Sequence, residues 1–232
     1  MNKVLRIGII AVCLGFIFSS FSVSEAKAQT DLGEILRRMD KYNKSLQSLK
    51  ADVTMVKYNP QLNVSDTTVG TTSYLPKTAK RVMYVRIDWT KPVQEQISVI
   101  GDSYELYRPR LNTVIRGKTQ QAKNSASVGG ALGFMNMSKA QLNANYDVIW
   151  IGEEQISGGV KTIHIQLTPK AATSYKLADL WIDVDGVPRQ AKITEKNNDT
   201  TTVLLSNIVK NETISASIFK LKYPNSVKKV NG

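Results

Sequence analysis

The chain has 232 residues, a formal net charge of +12, one cysteine and one histidine. That length suits one domain with a sizeable interior, and a single cysteine cannot form a disulfide within the chain, which leaves it to fold on its hydrophobic core. The basic residues are scattered rather than striped, which argues against nucleic acid. Anionic lipid headgroups, an acidic docking protein or a merely solubilising surface remain as explanations of the charge.

The first residues predict export. Lys3 and Arg6 form a short positive region, Ile7 to Phe21 is a nearly unbroken apolar run, and Ala26-Lys27-Ala28 places small residues before a cut between Ala28 and Gln29. This is the layout of a cleavable secretory signal peptide. The apolar run falls short of the roughly 20 residues a spanning helix needs, and Val12 before Cys13 does not suit lipidation. Removing residues 1–28 takes away Lys3, Arg6 and Lys27 against Glu25, so +12 less +2 leaves about +10 on the mature chain. Residues 29–232 are expected to form a single periplasmic domain with no cysteine.

Residues 31–49 predict an amphipathic helix, because Leu32, Ile35, Leu36, Met39, Leu46 and Leu49 recur at three- and four-residue spacing. Asp31 is placed to cap it, with Glu34 three residues on in capping-box position. After it the period changes to two. Residues 51–57, 68–75, 82–89, 94–100 and 103–107 are rich in Val, Ile, Thr and aromatics, and Gly101-Asp102 is a hairpin signal. Gly158-Gly159 introduces 160–167, in which Val160, Thr162, His164 and Gln166 share one face, and Lys161, Ile163, Ile165 and Leu167 the other. Residues 180–184 and 190–195 flank the turn Asp185-Gly186-Val187-Pro188, and 201–208 and 218–223 complete the series. The fold class is mainly β with flanking helices: an antiparallel sheet of roughly ten or eleven strands, curled into an incomplete barrel.

Residues 124–146 interrupt this pattern. Gly129, Gly130 and Gly133 loosen the backbone around Leu132, Phe134, Met135 and Met137, and Ser138 can cap a short helix over 139–145. The segment reads either as a crossover that closes the core or as an apolar lid. Methionine, unbranched and polarizable, suits repacking around varied ligands.

Catalytic chemistry is missing. His164, the one histidine, stands mid-strand and reads as a polar residue of the outer face. Without a second histidine or a mature cysteine, Ser-His, Cys-His and multi-histidine zinc arrangements are all excluded. There is no nucleophile elbow, Walker loop or dinucleotide fingerprint. Asp183 and Asp185 read as turn residues that bond the backbone rather than as a metal site, and Glu153 and Glu154 point to opposite faces of a strand. No enzyme, cofactor or metal is expected.

Three blocks in order carry a family resemblance: Arg86 to Pro109, Ala178 to Glu195 with its L-W-I-D, and Thr201 to Pro224. With the export signal and the leading helix they resemble the LolA/LolB-type periplasmic lipoprotein carriers along nearly the whole mature chain. The resemblance implies a half-barrel with helices closing its mouth over an apolar cavity, and a monomer. Such a carrier would take the acyl chains of lipoproteins or related lipids from an inner-membrane ABC-type releasing complex to an outer-membrane lipoprotein receptor. Residues expected to touch cargo are Leu132, Phe134, Met135 and Met137 in the lid, Ile97, Val99, Tyr104 and Leu106 on central strands, and Leu36 and Met39 on the helix. A one-residue register shift would exchange the inward and outward strand positions. Where the family carries an Arg-Pro pair whose arginine latches the lid, this chain has Leu75-Pro76. Arg86 is the candidate replacement, or else an outward strand arginine. A lipid- or lipoprotein-sensing regulatory module on the same scaffold is the rival expectation, although such relatives usually carry a second domain that this chain lacks the length for. A third, an outer-membrane barrel, fits poorly with the leading amphipathic helix and the polar outer positions.

Overall fold

The computed structural model describes the backbone of residues 22–119 and 133–232, and side chains within 32–119 and 133–232. Helix α1 (Ser22–Ser45) precedes six strands: β1 (Leu49–Asn59), β2 (Val64–Leu75), β3 (Tyr84–Lys91), β4 (Glu95–Ile100), β5 (Ser103–Arg108) and β6 (Thr113–Lys118). Helix α2 (Lys139–Asn145) leads into β7 (Tyr146–Ile156), β8 (Val160–Pro169), β9 (Tyr175–Asp183), β10 (Pro188–Glu195) and β11 (Thr200–Lys210), and β12 (Lys228–Asn231) closes the chain. They form one open twelve-stranded sheet in the order β12-β6-β5-β4-β3-β2-β1-β11-β10-β9-β8-β7. Every pairing is antiparallel except β12 on β6.

This order has a direct consequence for the interior. Strands β1 to β6 and β7 to β11 are two meanders joined by the β1–β11 pair, so β6 and β7 stand near opposite edges of one sheet. The chain between them must cross from one edge to the other. Its described part, from residue 133 through α2, packs on the inner face: Phe134, Met135 and Leu142 belong to the main core, with α1 and the inward residues of the sheet. Alternation sets that face. On β1, Leu49, Ala51, Val53 and Met55 are buried at every second position, and on β11 Thr201, Val203 and Leu205 are.

Helix α1 differs from its expected limits at both ends. It begins at Ser22, so Asp31 lies inside it and is not its cap. It ends at Ser45 because Asn211 takes over there: its Oδ1 accepts from the Gln47 backbone N–H at 2.7 Å, and its Nδ2 donates to the Ser45 carbonyl. Leu49, which continues the helical spacing, instead pairs with Tyr74 and Lys210 in the sheet. Leu46 and Leu49 are both buried in the same core, and a helix-face pattern cannot tell these two ways of pointing inward apart. At the other end of the core, the β9–β10 turn supports α1. Gly186 has φ +83°, and a Cβ there would lie 2.6 Å from the Met39 nitrogen. Only glycine provides both the left-handed backbone and the close approach. Asp183 holds that turn by accepting from the N–H groups of Asp185 and Val187.

The last expected strand, 218–223, is not one. Residues Ala216–Phe219 form a 3-10 turn, and the segment lies across the outer face of the sheet as a strap. Arg86 donates to the Ile218 carbonyl and Ser98 to the Phe219 carbonyl. Phe219 is fully buried, and Leu221 and Val227 pack on Tyr107 and Val114 in a second, small core. The alternation in this segment comes from apolar side chains that seat an extended strap, not from a strand in the sheet. Three elements absent from the expected series, β6, β7 and β12, bring the total to twelve.

Candidate functional site

The inner face of the sheet is lined with aliphatic and aromatic residues and covered by two separate pieces, α1 and the segment from residue 133 to α2. Leu36 and Met39 of α1, and Phe134 and Met135 of the covering segment, are at most 4% exposed and share one core. Met137 and Ile97 are half-buried against it. The strand register places Val99, Tyr104 and Leu106 on the same face as Ile97, since Ile97 pairs with Leu106 and Val99 with Tyr104. Val99 shares β4 with Ile97, Tyr104 and Leu106 stand on β5, one strand nearer the β6 edge, and none of the three is part of the main core. Leu132 lies outside the described residues.

The cover is held mainly by packing. Phe134 meets the rings of Tyr146 and Tyr175 edge-on, with centroids 5.6 and 5.9 Å away. The two tyrosine hydroxyls are 2.8 Å apart, and burial together with this bond raises the Tyr175 phenol well above its ordinary range. Polar ties join the pieces as well: Asn43 of α1 donates to the Met137 carbonyl at 3.1 Å, and the Asp40 carboxylate of α1 accepts from the Lys139 backbone N–H at the start of α2. Helix α2 is defined locally by a capping box, in which Ser138 accepts from the Gln141 N–H and the Gln141 side chain accepts from the Ser138 N–H. Leu142 is its fully buried anchor.

Between cover and sheet lies a cavity of about 50 Å³ lined by Tyr42, Leu49, Tyr74, Val85, Met135 and Leu205, among others. That is well under the roughly 300 Å³ at which small-molecule pockets begin. Among the described residues the inner face is largely filled by the protein's own side chains. Burial pushes the Tyr42 phenol up to about 12, so this residue stays neutral in the apolar wall.

Tyr42, Tyr74, Val85 and Leu205 fall outside the set expected from the sequence. Tyr42 stands three residues after Met39 on the buried face of α1, a position that aliphatic-only counting passes over. Tyr74 and Val85 pair across β2 and β3, a fact that only register supplies.

Arg86 faces the other way. Its guanidinium grips Asp88 at 2.7 and 2.8 Å and holds the strap at Ile218, so its described contacts secure the outer face and not the cover. Leu75, at the position where the resemblance puts a latch arginine, is 3% exposed. A different arginine, Arg81 in the β2–β3 loop, donates to the Pro76 and Gln47 carbonyls and ties that loop to the end of α1.

The outer face carries a bonded cluster of charges. His164 Nδ1 lies 2.8 Å from Glu154 Oε1 and Nε2 lies 2.9 Å from Asp179 Oδ1. Its ring stacks on Trp181 at 4.3 Å, and Trp181 donates to Glu154. Lys192 makes an ion pair with Asp179 at 3.2 Å. Both imidazole nitrogens face carboxylates, which can only accept, so the doubly protonated ring satisfies both. Burial alone would lower the His164 pKa, but the bonds to Asp179 and Glu154 outweigh it and the net shift is upward. The group lies on the sheet side opposite the cavity, and among the described residues no cluster is suited to hold a metal.

The family model for the outer membrane lipoprotein carrier protein LolA matches residues 44–222. The chain belongs to the LolA family. The match takes in every strand from β1 to β11, the covering segment and α2. No curated protein matches the chain in sequence. Among solved structures, an uncharacterized conserved protein from Thermus thermophilus shares the fold with a TM-score of 0.54 at 13% identity, over 87% of this chain and 99% of that one. MucB in its complex with MucA from Pseudomonas aeruginosa gives 0.50 at 12% identity, over 83% of this chain and 61% of that one. A separate MucB structure gives 0.53 at 12% identity, over 83% and 63%. These LolA-family features mark a binding scaffold whose inner face is apolar.

Proposed function

We propose that this LolA-family protein works in the periplasm, after removal of residues 1–28, as a carrier that binds the acyl chains of lipoproteins or related lipids. It would take them up at the inner membrane from an ABC-type releasing complex and deliver them to an outer-membrane receptor. The observation that carries the proposal is the construction of the interior: an apolar sheet face covered by α1 and the segment around Phe134 and Met135, pieces seated chiefly by packing. An acyl chain that displaces Phe134, Met135 and Met137 replaces one apolar contact with another. Loading then gains roughly 25 cal/mol for each Å² of lipid taken from water, less the cost of moving the cover. That offset keeps the complex weak enough for hand-off. The chemistry asked of the protein is burial and release, with no bond made or broken.

The test is purification of the mature protein from its native compartment, followed by solvent extraction and mass spectrometry of bound lipid. Stoichiometric acylated cargo supports the carrier, and an empty protein that also fails to take up a fluorescent fatty acid refutes it. A second reading, a regulatory module that senses lipids or lipoproteins, rests on the fold shared with MucB, which forms a complex with MucA. Cross-linking in cells that captures only a membrane-bound signalling protein would favour it over the carrier.

A further inference from the structure

We infer that one lip of the half-barrel is a docking surface for an anionic phospholipid membrane, which goes beyond the carrier reading and does not depend on what the cavity holds. The lip is built where the last turn of α1, the starts of β1 and the β2–β3 loop, and the end of β11 converge. Lys44, Lys77, Lys80 and Lys210 are exposed there, and Lys50 is half-buried beside them. Their proximity is fixed by the fold. Leu49 pairs with Tyr74 and Lys210, Lys50 with Ser73 and Val209, and Arg81 bonds the loop to Gln47 at the end of α1.

The acids of this lip are each paired: Asp40 with Lys44 at 2.6 Å, Glu212 with Lys50 at 3.2 Å, and Asp102, in the β4–β5 turn beside Val82, with Lys118 at 3.0 Å. Asp52, further along β1, accepts from the Asn207 side chain. Among the described residues, Lys77 and Lys80 have no acid within ion-pair distance, and Lys210 lies 5.5 Å over the Tyr42 ring. Val82 and Val209 stand exposed among these lysines. The opposite end of the sheet is different: a cleft of about 410 Å³ there mixes Lys57 with Asp66, Glu195 and Asp199. A negatively charged surface is therefore attracted to one end and met by both signs at the other. Each lysine held within a Debye length of an anionic leaflet raises partitioning about fivefold, and exposed valines suit the headgroup boundary.

The lip also borders the cavity. Tyr42 beneath Lys210, Leu49 paired with it and Tyr74 near Arg81 are all lining residues. Docking by this lip turns the covered interior toward the bilayer surface. The partner is the membrane itself, recognised through its phosphate-bearing headgroups, with no protein receptor required.

The experiment is flotation of the mature protein with phosphatidylcholine vesicles containing about one-third phosphatidylglycerol, against pure phosphatidylcholine, in low and high salt. Wild type is expected to float with the anionic vesicles alone and to be released by salt. Joint replacement Lys77→Gln, Lys80→Gln and Lys210→Gln should weaken partitioning about 100-fold. The same change of charge at the far end, Lys57→Gln, Lys176→Gln and Lys196→Gln, should leave it within about threefold of wild type. All six lysines are exposed, so both variants should keep the wild-type melting temperature. Equal loss in both variants would show a diffuse charge effect and overturn the lip. Binding to neutral vesicles, or no binding to anionic ones, would overturn it too. Uptake of a fluorescent fatty acid, measured in parallel, is expected to be unchanged in the lip variant. Loss of uptake in wild type bears on the carrier reading alone.

Discussion

Strand β8 carries two chemistries on one backbone. Ile163, Ile165 and Leu167 face inward to α1 and the cover, while Thr162, His164 and Gln166 face outward to Glu154, Asp179 and Trp181. The same contrast runs along the whole sheet. Inside, burial is achieved by apolar packing without direction, against pieces that the proposed carrier would exchange for another apolar body. Outside, it is achieved by directed bonds: the His164 network toward one end of the sheet order and the Arg86- and Ser98-anchored strap toward the other. A binding protein needs this division. In the proposed carrier the outer face would keep the curvature of the sheet fixed while the inner face exchanged its contacts, because directed bonds hold geometry whereas dispersion contacts tolerate substitution.

The contrast is tested most strongly by paired truncations. Ile165 is fully buried on the inner face, so Ile165→Ala is expected to cost about 2–5 kcal/mol through lost burial and a residual cavity. Ile149 is 49% exposed on the outer side of β7 and should tolerate alanine within about 0.5 kcal/mol. Urea denaturation of both variants measures the difference. Equal costs would mean that the two faces are not energetically distinct.

An intermediate effect is expected on the outer face and it depends on pH. The His164 pKa is raised above its ordinary value, so its contribution is fully present below about pH 6.5 and is lost as pH rises through the folded pKa. In His164→Gln the ion-pair bonds to Glu154 and Asp179 are gone. The variant should fall about 1.5–3 kcal/mol below wild type at about pH 5, with the gap narrowing in alkaline solution. Asp179 is held below its usual range despite burial, because His164, Lys192 and Gln166 favour its ionised form, so it remains charged across this window. Melting curves of both proteins from acid to alkaline pH check the sign. A gap that widens with pH would show that the imidazole is neutral in the folded state.

How far the sequence discloses this arrangement differs between the two faces. Local patterns are legible: the Ser138 cap of α2, the Gly101 and Gly158-Gly159 turns, and the turn role of Asp183 all follow from residue types at short range. So does the general curled antiparallel sheet. The inner residues are legible only in part, since Leu36, Met39, Phe134 and Met135 announce themselves as apolar while Tyr42 and Tyr74 do not. The outer network is legible as a polar side of β8 and no more, because Glu154, Asp179 and Lys192 come from three other strands and meet His164 only through register. The strap is misleading for the same reason. Its Phe219 and Leu221 alternate like a strand, and nothing local shows that their partner is the back of the sheet.

The smallest expected effect concerns that strap. Arg86 is paired with Asp88 on its own strand and donates to Ile218 across 132 positions of sequence. In Arg86→Met the aliphatic stem is kept and the charged bonds are removed. Asp88 is part-exposed and can be rehydrated, so global stability should fall by only about 1–2 kcal/mol. The local effect should be larger than the global one. Phe219, Leu221 and Val227 still seat the strap, but residues 216–231 lose their charged anchor, and amide exchange there is expected to quicken while β8 and β9 keep wild-type protection. Fluorescent fatty-acid uptake should match wild type, because Arg86 is on the face away from the cavity. If uptake rises in this variant while exchange at residues 216–231 is unchanged, Arg86 restrains the cover after all, and the separation of an exchangeable inner face from a fixed outer one fails at this residue.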